Sequence, residues 1–453
     1  MHYQHVEIIE TNEPRKVSDA KFENIETLAF VVQEPKADFT LVPIILDEIR
    51  ADEVLVDMSY SGICHTDIVL QQGLLPMVEF PAVFGHEGAG IVRAVGSDVS
   101  IAGLEVGDSV VLSFNHCGTC KACVSDHPAF CFSHPQVNHN AVRISDRSTP
   151  GRLKDGRSVR TQYFGQSSFS KMSVVNAKCV VKCPRPEDMH LYAPLGCGIQ
   201  TGAGTVLNVL KPTSEDSLVI FGLGSVGLAA VMAAKYLGVG KIIAVDIMPT
   251  RLELGRELGA TDTLNSREES NIVQTIKNLT GGGAKFAVDC TGIPKVIEDV
   301  VASIGPMGTA VVVGVPPPGA DVKVNALEFL LENKKFVGVI EGDSNPSKFI
   351  PQLIDMHRAG KFPLEKLCKN YHFSELPQAV ADMHSGKVHL KLPIFCKHRQ
   401  SLTTILGHQA CHQMVLMFET QDKTLVWEVS PVSSTQLKPS WSNNWPLHCI
   451  SKY

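Results

Sequence analysis

Four cysteines, Cys117, Cys120, Cys123 and Cys131, stand in the stretch CGTCKACVSDHPAFC, with two, two and seven residues between them. Thiolates this close, broken by glycine and small residues, suit a closed tetrahedral zinc site. An iron–sulfur cluster is the rival, because bacterial ferredoxins use a C-x2-C-x2-C run. There the fourth cysteine follows after three residues and precedes a proline. Here it follows after seven and precedes Phe132. The spacing and the metal preferences of thiolate sites favour structural zinc.

A second pattern has the form of a nucleotide-binding turn. GLGSVG, residues 222–227, follows the apolar run SLVIF and precedes an alanine-rich stretch. A glycine turn between a strand and a helix turns backbone N–H groups toward a pyrophosphate. Gly222 permits the tight turn, Gly224 lets the backbone approach the phosphate, and Gly227 lets helix and strand pack. Asp246 ends the next apolar run, where an acidic residue binds the adenosine ribose hydroxyls. An aspartate repels a 2′-phosphate, and Ile247, Met248 and Pro249 follow rather than arginine, so NAD is expected over NADP.

A third set is scattered: Cys64 in GICHTD, His86 in GHEGAG and Cys197 in LGCGIQTGAG. Singly, each has a plain explanation, since buried cysteines mostly pack and a histidine after glycine is mostly a turn residue. Only the company of the four-cysteine loop and the nucleotide motif makes them informative.

The elements that must carry these residues fall into two kinds. Residues 27–60 alternate apolar and polar in short runs (TLAFVVQ, FTLVPIIL, EVLVDMSY), which predicts antiparallel β-structure. GHEGAG reads as a turn before a strand, and VGDSVVLSF as a strand entering the cysteine loop. Residues 132–160 are polar and predict a long surface loop, and the small residues at 195–210 suit close packing under a helix. From SLVIF the period changes. KIIAVD, KFAVDCTG and GTAVVVGV are continuous apolar strands alternating with helical RLELGRELGA and KVIEDVVASIG, as in a parallel, doubly wound sheet. Gly238 is placed to end the helix after GLGSVG. After about residue 342 a mixed pattern returns through KFIPQLIDMHRAGK and AVADMHSGK to LKLPIF. The tail, 397–453, holds all three tryptophans and no countable period, and is expected to be a poorly ordered extension.

The bulk properties narrow the class. At 453 residues the chain exceeds one ordinary core. A net charge of -6 with no basic run argues against nucleic acid or an anionic membrane as partner. No apolar run approaches the roughly 20 residues needed to cross a bilayer. The N-terminus is too polar for a secretory signal, so a cytoplasmic setting is expected, where thirteen cysteines serve as ligands and core thiols rather than disulfides.

Taken in order, GICHTD, GHEGAG with AVG following, the four-cysteine loop, GCGIQTGAG and GLGSVG resemble the zinc-dependent alcohol dehydrogenases of the medium-chain dehydrogenase/reductase superfamily. The resemblance covers about residues 25–396. Within it, CGIQTGAGTVLNVL, YFGQSSF and GDSNPSKFIPQLI look most like aryl-alcohol (benzyl-alcohol) dehydrogenases. It implies an α/β protein: a β-rich GroES-like catalytic domain in two parts (25–198 and 343–396), a Rossmann NAD-binding domain (199–342) and the extension (397–453). It implies two zinc ions per chain, one structural at the four cysteines and one catalytic at Cys64, His86 and Cys197, plus NAD. Alcohol dehydrogenases are the familiar instance of such a Cys₂His catalytic site. The ion would act as a Lewis acid on an alcohol or aldehyde oxygen, with hydride passing between the substrate carbon and the nicotinamide.

The resemblance also assigns neighbouring roles. Thr66 would receive the alcohol proton, Asp67 would orient the histidine, and Glu87 would lie beside the metal. Val69 stands where many relatives carry a relay histidine, so the proton would leave through His65 or directly to solvent. His65 stands where relatives carry a pyrophosphate-binding arginine, and Lys387 and Lys391 are further candidates for that contact. The implied reaction is the NAD-linked interconversion of a primary alcohol, aromatic or benzylic, with its aldehyde. The alternative is an alcohol or aldehyde intermediate of secondary metabolism. A homodimer or homotetramer is expected. A zinc-free reductase of the same superfamily and a nucleic-acid-binding zinc ribbon are the rival readings. Acidic charge speaks against the second.

Overall fold

The computed structural model describes residues 24–74, 77–384, 394–395, 413–419 and 425–431. Lys387, Lys391 and most of the tail lie outside the described residues. Residues 397–453 form a unit of their own, in which Gln413–Glu419 and Leu425–Pro431 pair as an antiparallel hairpin.

The alternating segments of the first part build two sheets, antiparallel but for the parallel pairing of Tyr371–His372 with Ile394–Phe395. Five strands run in the order Ala82–Val83, Ile25–Val32, Thr40–Leu46, Gly151–Leu153 and Ser158–Val159. The other sheet runs Val180–Lys182, Ser109–Leu112, Gly88–Val95, Glu53–Ser61, Ile394–Phe395 and Tyr371–His372, with Met172–Asn176 also paired to Glu53–Ser61. One face of these strands packs into a core that includes Phe30, Val56, Phe84 and Phe169, while Glu53–Ser61, at the centre of the second sheet, is covered on both faces. Ile394–Phe395 pairs antiparallel with Glu53–Ser61, so the end of the described main body returns to the sheet of its beginning.

The continuous apolar runs behave differently. Asp262–Asn265, Lys241–Asp246, Ser217–Phe221, Ala284–Asp289, Ile304–Val312 and Lys335–Gly338 form a six-stranded, wholly parallel sheet in that order. The chain starts in the middle, winds one way and then the other, which leaves a crevice at the carboxyl ends of Ser217–Phe221 and Ala284–Asp289. GLGSVG sits at that switch point. The helix behind it, Ser225–Leu237, ends at Gly238 in the left-handed region (φ 73°), as expected of a glycine C-cap.

One expectation fails. Residues 132–160 are not simply a surface loop: they contain the helix His134–Asn138 and two short strands, and they bury Asn138 and Arg143. The Arg143 guanidinium makes two 2.8 Å bonds to the buried Glu53 carboxylate, while the Asn138 amide bonds Asn115 through both its ends. Polar composition signalled exposure because a buried charge is affordable only when paired, and pairing across 90 positions has no local signature.

Candidate active site

Three distant segments deliver one cluster. Donor atoms of Cys64, His86, Glu87 and Cys197 all lie within 4.8 Å of one another. Cys64 caps the helix His65–Gln71. His86 and Glu87 stand just before the strand Gly88–Val95, and Cys197 precedes the helix Gly198–Gly204. That last helix lies against the nucleotide helix, because Gly202 has no side chain. A Cβ there would stand 1.9 Å from the Val226 carbonyl oxygen. Close approach of these two backbones brings the cluster toward GLGSVG.

Asp67 organises the cluster. It is fully buried, and its Oδ1 accepts from Gly85 N (3.1 Å) and meets His86 Nδ1 at 2.9 Å. Its Oδ2 accepts from Cys64 N at 2.9 Å. One carboxylate thus fixes two of the cluster's backbone segments and the imidazole. Gln166, inside the stretch YFGQSSF, holds the histidine turn a second time: Nε2 donates to His86 O (2.9 Å), and Oε1 accepts from Gly88 N (3.0 Å). Glu87 Oε1 accepts from Gly198 N at 3.2 Å, tying the histidine turn to the Cys197 helix.

The donor set suits a cation. His86 Nε2 is buried with no hydrogen-bond partner among the described residues, although buried polar atoms normally have one. Burial opposes charge on this imidazole, yet the Asp67 carboxylate and Cys64 outweigh it and hold its pKa well above the usual value. The negative groups gathered at this buried nitrogen are the kind of surroundings that a cation would neutralise. Contact with Cys64, then burial and the nearby Glu341 carboxylate push the Cys197 thiol well up, so the pair of sulfurs needs a positive partner to ionise.

The surroundings are aromatic and acidic. Phe164 stacks on His86 (4.5 Å between centroids, 24° between planes), and Tyr163 meets it edge-on at 5.5 Å. Tyr163 is fully buried and its hydroxyl has no partner among the described residues. Phe164 holds a left-handed backbone (φ 50°), a cost that tends to collect at functional sites. Glu341, unremarked in the sequence, places Oε1 3.9 Å from Cys197 Sγ. Burial raises its carboxyl to about 7.

The remaining expected residues fall as follows. Thr66 is half-buried with Oγ1 3.7 Å from Cys64 Sγ, His65 is exposed, and Val69 is half-buried on the same helix. Gly222 adopts φ 90°, and Gly227 lies so close to Gly222 that a Cβ would be 1.9 Å from its carbonyl oxygen. Above Gly224 a Cβ would meet nothing within 4 Å, the open cradle that a phosphate needs. Asp246 is buried. It accepts from Leu223 N and Ile247 N (both 2.7 Å) and Met248 N (2.9 Å), with Arg251 at 3.6 Å. Arg251 lies two residues beyond Pro249, past the stretch Ile247, Met248 and Pro249 that lacks arginine.

The four-cysteine loop closes on itself. Its sulfurs lie within 4.8 Å of one another, with Cys120 and Cys123 3.5 Å apart and Cys117 and Cys123 3.8 Å apart. Four ligands at about 2.3 Å from one tetrahedral centre stand about 3.8 Å apart, so the loop has the dimensions of a single zinc ion, with little room for a cluster. Burial disfavours the Cys117 thiolate, but N–H donors from Thr119 and Cys120 prevail and bring its pKa down to about 6.

Comparison with known proteins agrees with this geometry. Residues 50–185 match the family described as alcohol dehydrogenase GroES-like domain, and residues 225–357 the family described as zinc-binding dehydrogenase. A geraniol dehydrogenase from Castellaniella defragrans is 38% identical over 365 residues, covering 80% of this chain and 96% of that protein. The crystal structure of an alcohol dehydrogenase zinc-binding domain protein from Burkholderia ambifaria superposes with a TM-score of 0.79 at 39% identity, covering 83% of this chain and all of that one. That of a benzyl alcohol dehydrogenase from Acinetobacter calcoaceticus gives 0.77 at 39% identity, covering 82% and 99%.

Proposed function

Because this chain belongs to the zinc-dependent alcohol dehydrogenases of the medium-chain dehydrogenase/reductase superfamily, we propose that it interconverts aromatic or benzylic primary alcohols and their aldehydes. It is a zinc- and NAD-dependent oxidoreductase acting on a small alcohol. The finer reading adds the substrate class and the residues. Cys64, His86 and Cys197 hold the catalytic zinc, and Cys117, Cys120, Cys123 and Cys131 hold the structural one. One observation carries this assignment: donors from positions 64, 86 and 197 meet within 4.8 Å around an imidazole nitrogen that has no hydrogen-bond partner among the described residues.

Bound there, zinc supplies Lewis acidity toward the alcohol or carbonyl oxygen, and NAD supplies the hydride acceptor. The chain's own residues do the rest. Asp67 keeps the His86 proton on Nδ1 and aims Nε2 into the donor set. Thr66 takes the alcohol proton and passes it to His65 or to solvent, since Val69 cannot carry it. Gly222, Gly224 and Gly227 admit the pyrophosphate, with His65 alongside it, and Asp246 receives the adenosine ribose. Glu87 supplies negative charge beside the sulfurs and locks the Cys197 helix to the histidine turn.

Support for an aromatic substrate comes from similarity to a benzyl alcohol dehydrogenase. A second reading, an alcohol of secondary metabolism, is favoured by similarity to a geraniol dehydrogenase. We propose the division into 25–198 with 343–396, 199–342 and 397–453, supported by the return of Ile394–Phe395 to the first part's sheet. We also propose a homodimer or homotetramer. The helix Ala326–Glu332 exposes Leu327, Leu330 and Leu331, with the open edge strand Lys335–Gly338 beside it. Among the described residues no helix is long and apolar enough to cross a membrane. We propose a cytoplasmic setting, where cysteines serve as metal ligands and core thiols.

The purified protein should carry two zinc ions per chain and reduce NAD with benzyl alcohol at a higher kcat/KM than with ethanol. Geraniol in the same panel separates the second reading. Equal or better turnover of short aliphatic alcohols would overturn the aromatic assignment.

A further inference from the structure

Glu341, Gly342 and Asp343 form a turn in which three consecutive residues have left-handed backbone, with φ of 50°, 64° and 45°. Two of the three are not glycine, so the conformation is costly and persists only where surrounding contacts impose it. Those contacts come from two places.

The first is the helix that follows Cys197. Gln200 Nε2 and Thr201 Oγ1 donate to Glu341 Oε2 at 3.3 and 3.4 Å, and Ser344 Oγ donates to Gln200 Oε1 at 3.0 Å. Asn208 Nδ2 donates to Gly342 O at 3.0 Å. The second is the segment between Cys123 and Cys131. His127 Nδ1 lies 2.8 and 2.9 Å from the two carboxylate oxygens of Asp343 and so donates to them. Asp126, itself left-handed (φ 67°), accepts from Asn345 Nδ2 and Lys348 Nζ, both at 2.6 Å. The proposed reaction uses none of Asp126, His127 or Asp343, yet together they clamp the four-cysteine lobe to the residue whose carboxylate stands 3.9 Å from Cys197 Sγ.

We propose that the turn Glu341–Asp343 is a positioning device through which the four-cysteine lobe sets the geometry of the catalytic donor set. The lobe fixes Asp343 through His127, the turn fixes Glu341, and Glu341 limits where the Cys197 sulfur stands. His127 and Asp343 are positioning residues for Cys197. This inference rests on the reading of the two donor sets as separate metal sites. It gives the structural site a task beyond holding its own loop, and the coupling runs through contiguous contacts rather than distance alone.

The test uses the full-length protein with cobalt(II) exchanged into the catalytic site and zinc kept in the lobe, read by the thiolate-to-cobalt visible bands. Asp343→Asn and His127→Ala should each keep two metals per chain and an unchanged Kd for NAD. Each should shift the cobalt bands and lower kcat about tenfold, the scale of a small misplacement of a reacting group. His127→Asn, which keeps an N–H near the Nδ1 position, should restore both. His127→Ala added to Glu341→Gln should move the bands no further than Glu341→Gln alone, as expected of residues on one path. Should His127→Ala lose the lobe metal, Asp343→Asn decides, since it leaves the lobe intact. Unshifted bands, or additive effects in the double variant, overturn the coupling while leaving the two-site reading in place. Failure of the wild type to take up cobalt at Cys64, His86 and Cys197 overturns both.

Discussion

Replacing Asp67 by asparagine changes one atom and removes one charge at the centre of the site. The carboxylate serves three groups, His86 Nδ1 (2.9 Å), Gly85 N (3.1 Å) and Cys64 N (2.9 Å), all of which donate to it. An asparagine has one acceptor oxygen, so one orientation turns its NH₂ toward Cys64 N–H and the other toward both Gly85 N–H and the imidazole. In the better orientation a single donor loses its partner, at about 1–3 kcal/mol, and the imidazole loses a charge-assisted bond. Partners of this kind typically change metal affinity by about 10- to 100-fold, or about 1.4–2.7 kcal/mol. We expect Asp67→Asn to release one zinc per chain to a competing chelator at about 10- to 100-fold lower chelator strength than the wild type. The second zinc should be unaffected. Release of both ions on the wild-type profile would refute the argument that Asp67 orients His86 for a metal.

Gly224→Ala should fold with an unchanged melting temperature, because its Cβ enters open space, while raising the Kd for NAD at least about tenfold by calorimetry. Gly227→Ala should instead lose stability, since its Cβ would collide with the Gly222 carbonyl oxygen; equal melting temperatures for the two variants would contradict the cradle. Cys120→Ser should lose one zinc per chain and lower the unfolding midpoint in urea, because a structural site missing a ligand no longer holds its loop. Normal folding with loss of turnover alone would reverse the division into structural and catalytic sites. Arg143→Met should cost about 3–5 kcal/mol in urea unfolding, since it leaves the buried Glu53 carboxylate without its partner. A cost under about 1 kcal/mol would return residues 132–160 to the status of an inert loop.

How much of this was legible beforehand depends on how local each signal is. The cysteine loop and GLGSVG declare themselves because their partners lie within a few residues and their geometry is set by the backbone they occupy. The change from alternating to continuous apolar runs separates the antiparallel sheets from the parallel one for the same reason. Cys64, His86 and Cys197 are different. Only the order of the strands makes them neighbours, and the sequence reached them through resemblance alone. Glu341 and Arg143 left no trace, and Gln166 entered only inside the family-like stretch YFGQSSF, because a single polar residue looks the same on a surface as in a buried network. Gly342 beside Glu341 was the one available hint, since glycine marks turns, but nothing in the pattern tied that turn to Cys197.

Anomalous scattering measured on either side of the zinc absorption edge, from crystals of the full-length protein, addresses the central claim most directly. The account predicts two peaks per chain, one among Cys64 Sγ, His86 Nε2 and Cys197 Sγ and one among the four loop sulfurs. A single peak at the loop, with the three dispersed donors facing no ion, would contradict it.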